Sequence, residues 1–171
     1  MTVIQQALRP PMAVLLTTLV SAVLLASAHG FQHIGGLSPC ELCLEQRTPH
    51  WVVLGLGGAA GLMLWRGWRG ALRLALIAMA LALFTTAGIG LFHVGVEQHW
   101  WQGPTTCSAA VQSGASVEDL LAQLQSAALV SCDQVPWSLF GISMAGYNFL
   151  ISAAAGVFAF VAGVKARRHH G

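Results

Sequence analysis

The sequence predicts an all-α membrane protein, a bundle of four transmembrane helices with a short amphipathic helix on one side. Three observations carry this. Hydrophobic residues make up 56% of the 171 and charged residues only 8%, where a typical soluble domain is about a quarter charged. Four apolar runs, residues 12–29, 48–65, 74–94 and 137–164, contain no Lys, Arg, Asp or Glu, and each approaches or exceeds the roughly 20 residues that cross a bilayer. Seven of the eight positive charges (Arg9, Arg66, Arg69, Arg73, Lys165, Arg167 and Arg168) fall on one side of such a bundle, which the positive-inside tendency makes cytoplasmic. The composition excludes a water-soluble globule and a disordered chain. A net charge of +2 gives no strong polyanion affinity, so no nucleic-acid partner is expected. Residues 1–171 read as one domain.

The first span follows Arg9 and Pro10-Pro11. Ala26-Ser27-Ala28 near its end resembles a cleavage site of a secretory signal; the length of the run and the two prolines favour a retained span. A first outer loop, 30–47, holds Cys40, Cys43 and Arg47. Thr48 suits an N-cap and Pro49 the N1 position of the second span, with a short helical turn ahead of it; the alternative is one longer helix kinked at Pro49. The third span carries His93 near its end. The outer segment 95–136 is too polar to cross and too long for a plain loop. Within it Val117, Leu120, Leu121 and Leu124 recur at the spacing of one helical face, with Ser116 as N-cap. That helix either lies on the bilayer or covers the bundle.

All four cysteines, Cys40, Cys43, Cys107 and Cys132, fall on the outer side together with all six acids. In a bacterial cell that side is the periplasm, where disulfides persist. Three pairings are open to four cysteines. Zinc-ligand spacing is lacking beyond the single Cys-x-x-Cys, so no metal is expected. Thiol exchange runs through a thiolate, which cationic neighbours and helix N-termini favour. If Cys43 starts a helix, Arg47 is its i+4 neighbour. Glu41 and Glu45 oppose that charge. A second cysteine pair on the long segment can face a soluble partner and swing toward the first. That is an electron relay in outline, and at a membrane surface a lipid-soluble quinone is the natural acceptor.

With these features the chain resembles the DsbB family of bacterial inner-membrane thiol oxidases. Phe31-Gln32-His33 before Pro39-Cys40-x-x-Cys43, with Arg47 four residues beyond, is similar to the family's first periplasmic loop. Glu97 and Gln102, followed by Pro104 and Cys107, are similar to its second. Trp100-Trp101-Gln102-Gly103-Pro104 and Pro136-Trp137-Ser138-Leu139-Phe140-Gly141 resemble an alphaproteobacterial branch. The resemblance implies that Cys40 and Cys43 are the quinone-coupled pair, with Cys43 the thiolate that donates charge to the quinone ring and adds to it. It implies that Arg47 lies beside the quinone, with Gln102 near its head group and Glu97 as a further quinone-site residue. Cys107 would form the mixed disulfide with a periplasmic DsbA-like protein, and Cys132 would resolve it or bond Cys40 during transfer. Familiar members carry a histidine just after the glutamate; here Gln98 stands there and His99 is one further on, a substitute quinone contact or a plain interfacial residue. His93 is a second such candidate, against a satisfied helix-end histidine. The cofactor would be ubiquinone or menaquinone, and both termini would be cytoplasmic.

Rival readings are a structural membrane protein with two inert disulfides, a vitamin K epoxide reductase-like oxidase and a metal transporter. The two-loop cysteine layout and Arg47 favour the resemblance over the second. The absence of Asp and Glu from the four runs disfavours the third.

Overall fold

The computed structural model describes residues 3–104 and 131–166. A short helix α1 (Val3–Ala7) leads into α2 (Pro10–His33), where Pro10 and Pro11 occupy the first helical positions after the N-cap Arg9. There the missing proline N–H groups cost nothing. Next come α3 (Glu41–Trp65), a single 3-10 turn at Arg69–Ala71, α4 (Leu72–Glu97), a two-stranded hairpin of β1 (Ser138–Leu139) and β2 (Ile142–Ser143), and α5 (Met144–Ala166). Cys107 and the expected amphipathic helix at 116–124 lie outside the described residues.

Helices α2, α4 and α5 are each long and apolar enough to cross a membrane. Helix α3 is equally long; its first two turns are polar, which lowers its hydropathy. The four form the expected all-α membrane bundle. Its centre is α4, whose Leu72, Leu76, Met79 and Leu83 are fully buried against Val53 and Ala60 of α3 and Ala159 and Ala162 of α5. Small residues bring the helices close, as membrane packing favours. A side chain at Gly90 of α4 would press on the Ala145 carbonyl of α5, at 3.2 Å from its Cβ. Large apolar side chains including Leu19, Val23, Leu81, Leu91, Leu150 and Val157 face outward. Exposure on this scale is costly in water and natural against lipid.

The helix ends position the site. Helix α3 starts at Glu41 and runs unbroken through Pro49, so the expected break at Thr48-Pro49 is replaced by one long helix. Its cap is Cys40, whose sulfur accepts the Cys43 N–H at 3.2 Å. That is the bond an N-cap side chain makes to the N3 amide, so the Cys-x-x-Cys spacing is itself a cap. Pro49 removes only one helical bond deeper in. Helix α4 ends in a double turn: Trp100 N–H bonds the Gly95 carbonyl at 2.8 Å and His99 N–H bonds the Val96 carbonyl at 3.0 Å. With His99 at φ 59° this is a Schellman motif closed by a non-glycine residue. The hairpin before α5 turns through Phe140 and Gly141, both at positive φ (52° and 77°), as a two-residue type I′ turn requires.

Candidate functional site

Cys40 and Cys43 lie in the first turn of α3, where unpaired N–H groups and the helix dipole favour negative charge. Both are free thiols, Cys40 buried and Cys43 partly so. Cys132 is buried and disulfide-bonded, and it clusters with Cys40, Leu42 and Val96. The described member of the second pair therefore sits against the first. Cys107 lies outside the described residues.

The two thiols are held apart electrically. Cys43 is pushed below the ordinary thiol range, first by the hydrogen bond from the Cys40 side chain and further by the Arg47 guanidinium; burial and Glu97 oppose this. Cys40 is pushed up, first because its side chain bonds Cys43, then by burial. Of the pair, Cys43 takes the negative charge. Arg47 projects one turn beyond it and donates to Gln32 Oε1 at 2.6 Å and to the Ala28 carbonyl at 3.4 Å. These bonds tie the guanidinium to the end of α2.

Both cysteines and Arg47 line a cavity of about 350 Å³ between the helix ends, with Leu24, Phe31 and Trp137 among its apolar walls. Glu97 and His93 reach it from α4. Glu97 is buried and accepts a 2.5 Å bond from Ser143 Oγ. His93 is buried, with Nδ1 2.8 Å from Gln46 Nε2 and Nε2 3.6 Å from Cys40 Sγ. His99 and Gln102 are both exposed and do not line the cavity. The turn that ends α4 carries them outward. Of the expected site residues, then, Cys40, Cys43, Arg47 and Glu97 meet at one cavity with Cys132 beside them, and His99 and Gln102 stand apart.

Sequence reasoning passed over a polar group that stands behind the cysteines: buried Gln46, Thr86 and Ser143 and half-buried Asn148, joined by buried His50. The signal was present. Gln46 and His50, His93 and Glu97, and Asn148 and Ser152 are i, i+4 pairs inside otherwise apolar helices, and intramembrane polar residues mark function. Among the described residues Cys40, Cys43 and His93 have donor atoms within 4.8 Å of one another, the geometry of a possible metal site. Gln46 donates to the Nδ1 lone pair of His93, so a neutral ring carries its proton on Nε2 and presents no lone pair to the sulfurs.

A family model described as disulfide bond formation protein DsbB matches residues 10–162. The chain belongs to the DsbB family. It is 33% identical over 156 residues to a disulfide bond formation protein B of Verminephrobacter eiseniae, covering 87% of this chain and 84% of that one. It is 25% identical to another of that name from Polaromonas sp., covering 89% of each. An uncharacterized protein, RP370, of Rickettsia prowazekii is 24% identical over 81% of this chain and 79% of its own length. No solved structure matches the chain significantly. DsbB membership makes this a membrane protein of disulfide bond formation, and a cysteine pair that shares one cap and one thiolate is the oxidoreductase chemistry that goes with it.

Proposed function

We propose that the chain is a thiol oxidase of the bacterial inner membrane. It reoxidises a periplasmic DsbA-like dithiol protein and passes the electrons through two cysteine pairs to a membrane quinone. The observation that carries this is the joint placement of free Cys40 and Cys43 and of Arg47 at one cavity, with disulfide-bonded Cys132 packed against Cys40. The cavity has the size and largely apolar walls of a small-molecule site, and Arg47 lines it together with both cysteines, which fits a quinone head group held by Arg47. A quinone, when bound, supplies a two-electron, two-proton acceptor.

The residues of the chain do the rest. The partner's thiolate attacks the disulfide of the second pair, and one new S–S bond replaces the old. The thiolate released next to Cys40 can exchange with an oxidised Cys40–Cys43 pair, again one bond for one bond. That leaves Cys132 bonded to Cys40 and Cys43 as the released thiolate. The partner's second thiol then displaces Cys107 and leaves the partner oxidised. Cys107 attacks Cys132, displacing Cys40, so that the second disulfide is restored and the first pair is the dithiol. A DsbA-like partner is a strong oxidant near −120 mV, and about 30 mV corresponds to 1.4 kcal/mol for a two-electron couple. An ordinary disulfide cannot reoxidise it, so an electron acceptor of higher potential beyond Cys43 is required. Arg47 favours the Cys43 thiolate and the negative charge that builds in the cavity.

Orientation follows the same reading: the seven Lys and Arg other than Arg47 face the cytoplasm, and the cysteine end with Arg47 faces the periplasm. The test is anaerobic turnover of the purified chain with a reduced DsbA-like protein and soluble ubiquinone, followed by quinone absorbance and repeated with menaquinone. Quinone loss that disappears in Cys43→Ala and in Cys107→Ala supports the relay. No loss with either quinone, and four cysteines that resist dithiothreitol, would favour the structural reading.

A further inference from the structure

Behind Cys40 runs a chain of hydrogen bonds whose direction can be worked out from one end. Thr86 Oγ1 bonds the Gln46 backbone carbonyl at 2.9 Å. A carbonyl only accepts, so the single hydroxyl proton of Thr86 is spent there. Thr86 Oγ1 must then accept from Asn148, 3.0 Å away, which fixes that amide atom as nitrogen. The same Asn148 nitrogen donates to Gln46 at 2.8 Å, which fixes that Gln46 atom as oxygen. The other Gln46 atom is therefore nitrogen; it donates to the Leu42 carbonyl at 3.0 Å and to His93 Nδ1 at 2.8 Å. A neutral His93 ring whose Nδ1 accepts carries its proton on Nε2. That N–H lies 3.6 Å from Cys40 Sγ. The backbone of Cys132 also hydrogen-bonds this ring, and a carbonyl acceptor there calls for the same Nε2–H. Glu97 Oε1, at 3.9 Å from Nε2, is too far to take it.

We propose that His93 is a catalytic residue of the thiol exchange, a fixed Nε2–H donor that stabilises Cys40 as the outgoing thiolate. The proposal rests on the oxidase reading. In the step concerned, an incoming thiolate attacks the sulfur bonded to Cys40. A new S–S bond forms, the bond to Cys40 breaks, and Cys40 leaves with the electron pair and no net oxidation. Two donors meet that charge: the Cys43 backbone N–H at 3.2 Å and His93 Nε2–H. A charged sulfur is the stronger acceptor, so it draws the shared proton from the neutral Cys132 carbonyl. Gln46, Asn148 and Thr86 are positioning residues; they keep the ring from presenting its lone pair to the sulfur, which would repel the thiolate instead.

The test isolates Cys40. In a chain with Cys43, Cys107 and Cys132 replaced by Ala, the iodoacetamide rate at Cys40 is measured against pH. The titratable or charged groups that remain around the cavity with Cys40 are Arg47 and His50 on its own helix, His93 and Glu97 from α4, and Tyr147 from α5. His93→Leu is expected to move the midpoint up by about one pH unit, roughly tenfold in rate below it. His93→Gln, which keeps an N–H donor, should restore most of the rate. Nitrogen-15 shifts of the His93 ring in the unmodified chain, read by NMR, should report Nδ1 unprotonated and Nε2 protonated. The proposal is overturned by a midpoint unmoved in His93→Leu, by equal shifts in both variants, or by a proton on Nδ1. Neither partner nor quinone enters this assay, so its failure leaves the oxidase reading standing, and failed quinone turnover leaves the Cys40 result intact.

Discussion

Cys40 and Cys43 share a helix turn and divide its chemistry. Cys40 is the cap, buried and pushed toward the thiol; Cys43 is pushed toward the thiolate, first by the Cys40 hydrogen bond and further by Arg47. The sign gives a pH prediction. A lowered thiol pKa means that the thiolate is complete above it and is lost only as the pH falls through it. In the reduced protein, iodoacetamide should therefore label Cys43 at a pH where Cys40 stays unmodified, as peptide mass spectrometry would report; labelling of Cys40 first would contradict the assignment. Arg47→Ala removes a neighbouring cation and should raise the Cys43 midpoint by up to roughly one unit. Quinone turnover should fall more than partner binding does. At Glu97 the argument concerns stability. Ser143→Ala strips a buried carboxyl of its hydroxyl donor, a loss of about 1–3 kcal/mol, visible as a lower melting temperature in detergent.

At the scale of elements, the legible parts were those written in hydropathy, and the illegible ones depend on helix ends. Four apolar runs were enough for four long helices, because burial in lipid and internal backbone bonding leave few alternatives. The start of α3 was not readable that way. Its first two turns are polar, and Thr48-Pro49 has the chemistry of a start; the helix nevertheless begins at Glu41 because Cys40 caps it. Likewise Gln102 and His99 stand close to Glu97 in sequence, but the double turn after Glu97 reverses the chain and exposes them. Cys40, Cys43 and Arg47 were legible because one helix fixes their spacing. His93 and Gln46 meet only through the packing of α4 on α3. The same turn yields a prediction. Trp101 lies over Gly95, where a Cβ would collide with its ring, and its Nε1–H bonds the Phe92 carbonyl at 2.9 Å. Gly95→Leu should displace the ring and lower stability by about 1–3 kcal/mol, the usual range for overpacking. Thermal unfolding and tryptophan emission would register both; an unchanged spectrum would place Trp101 elsewhere.

Over the whole molecule, the charge pattern and the cysteine end are two readings of one orientation. In a cysteine-free background, Ser38→Cys should react with a membrane-impermeant maleimide on intact spheroplasts, and Trp68→Cys only after permeabilisation. The reverse pattern would invert the bundle. The apolar exterior and the polar chain inside it serve the same end: the helices bring Cys43, Arg47 and the cavity together, with Cys132 packed against Cys40, and under the proposed function this puts thiol exchange and electron delivery within one site. The central claim is that electrons from a periplasmic dithiol leave through Cys43. The most direct measurement counts partner disulfides formed and quinone reduced in one anaerobic sample of the purified chain. The account predicts one quinone reduced for each partner disulfide over many turnovers, and in Cys43→Ala no quinone loss, with partner oxidation confined to the first turnover. Continued partner oxidation without quinone loss, or quinone loss that survives Cys43→Ala, would contradict it.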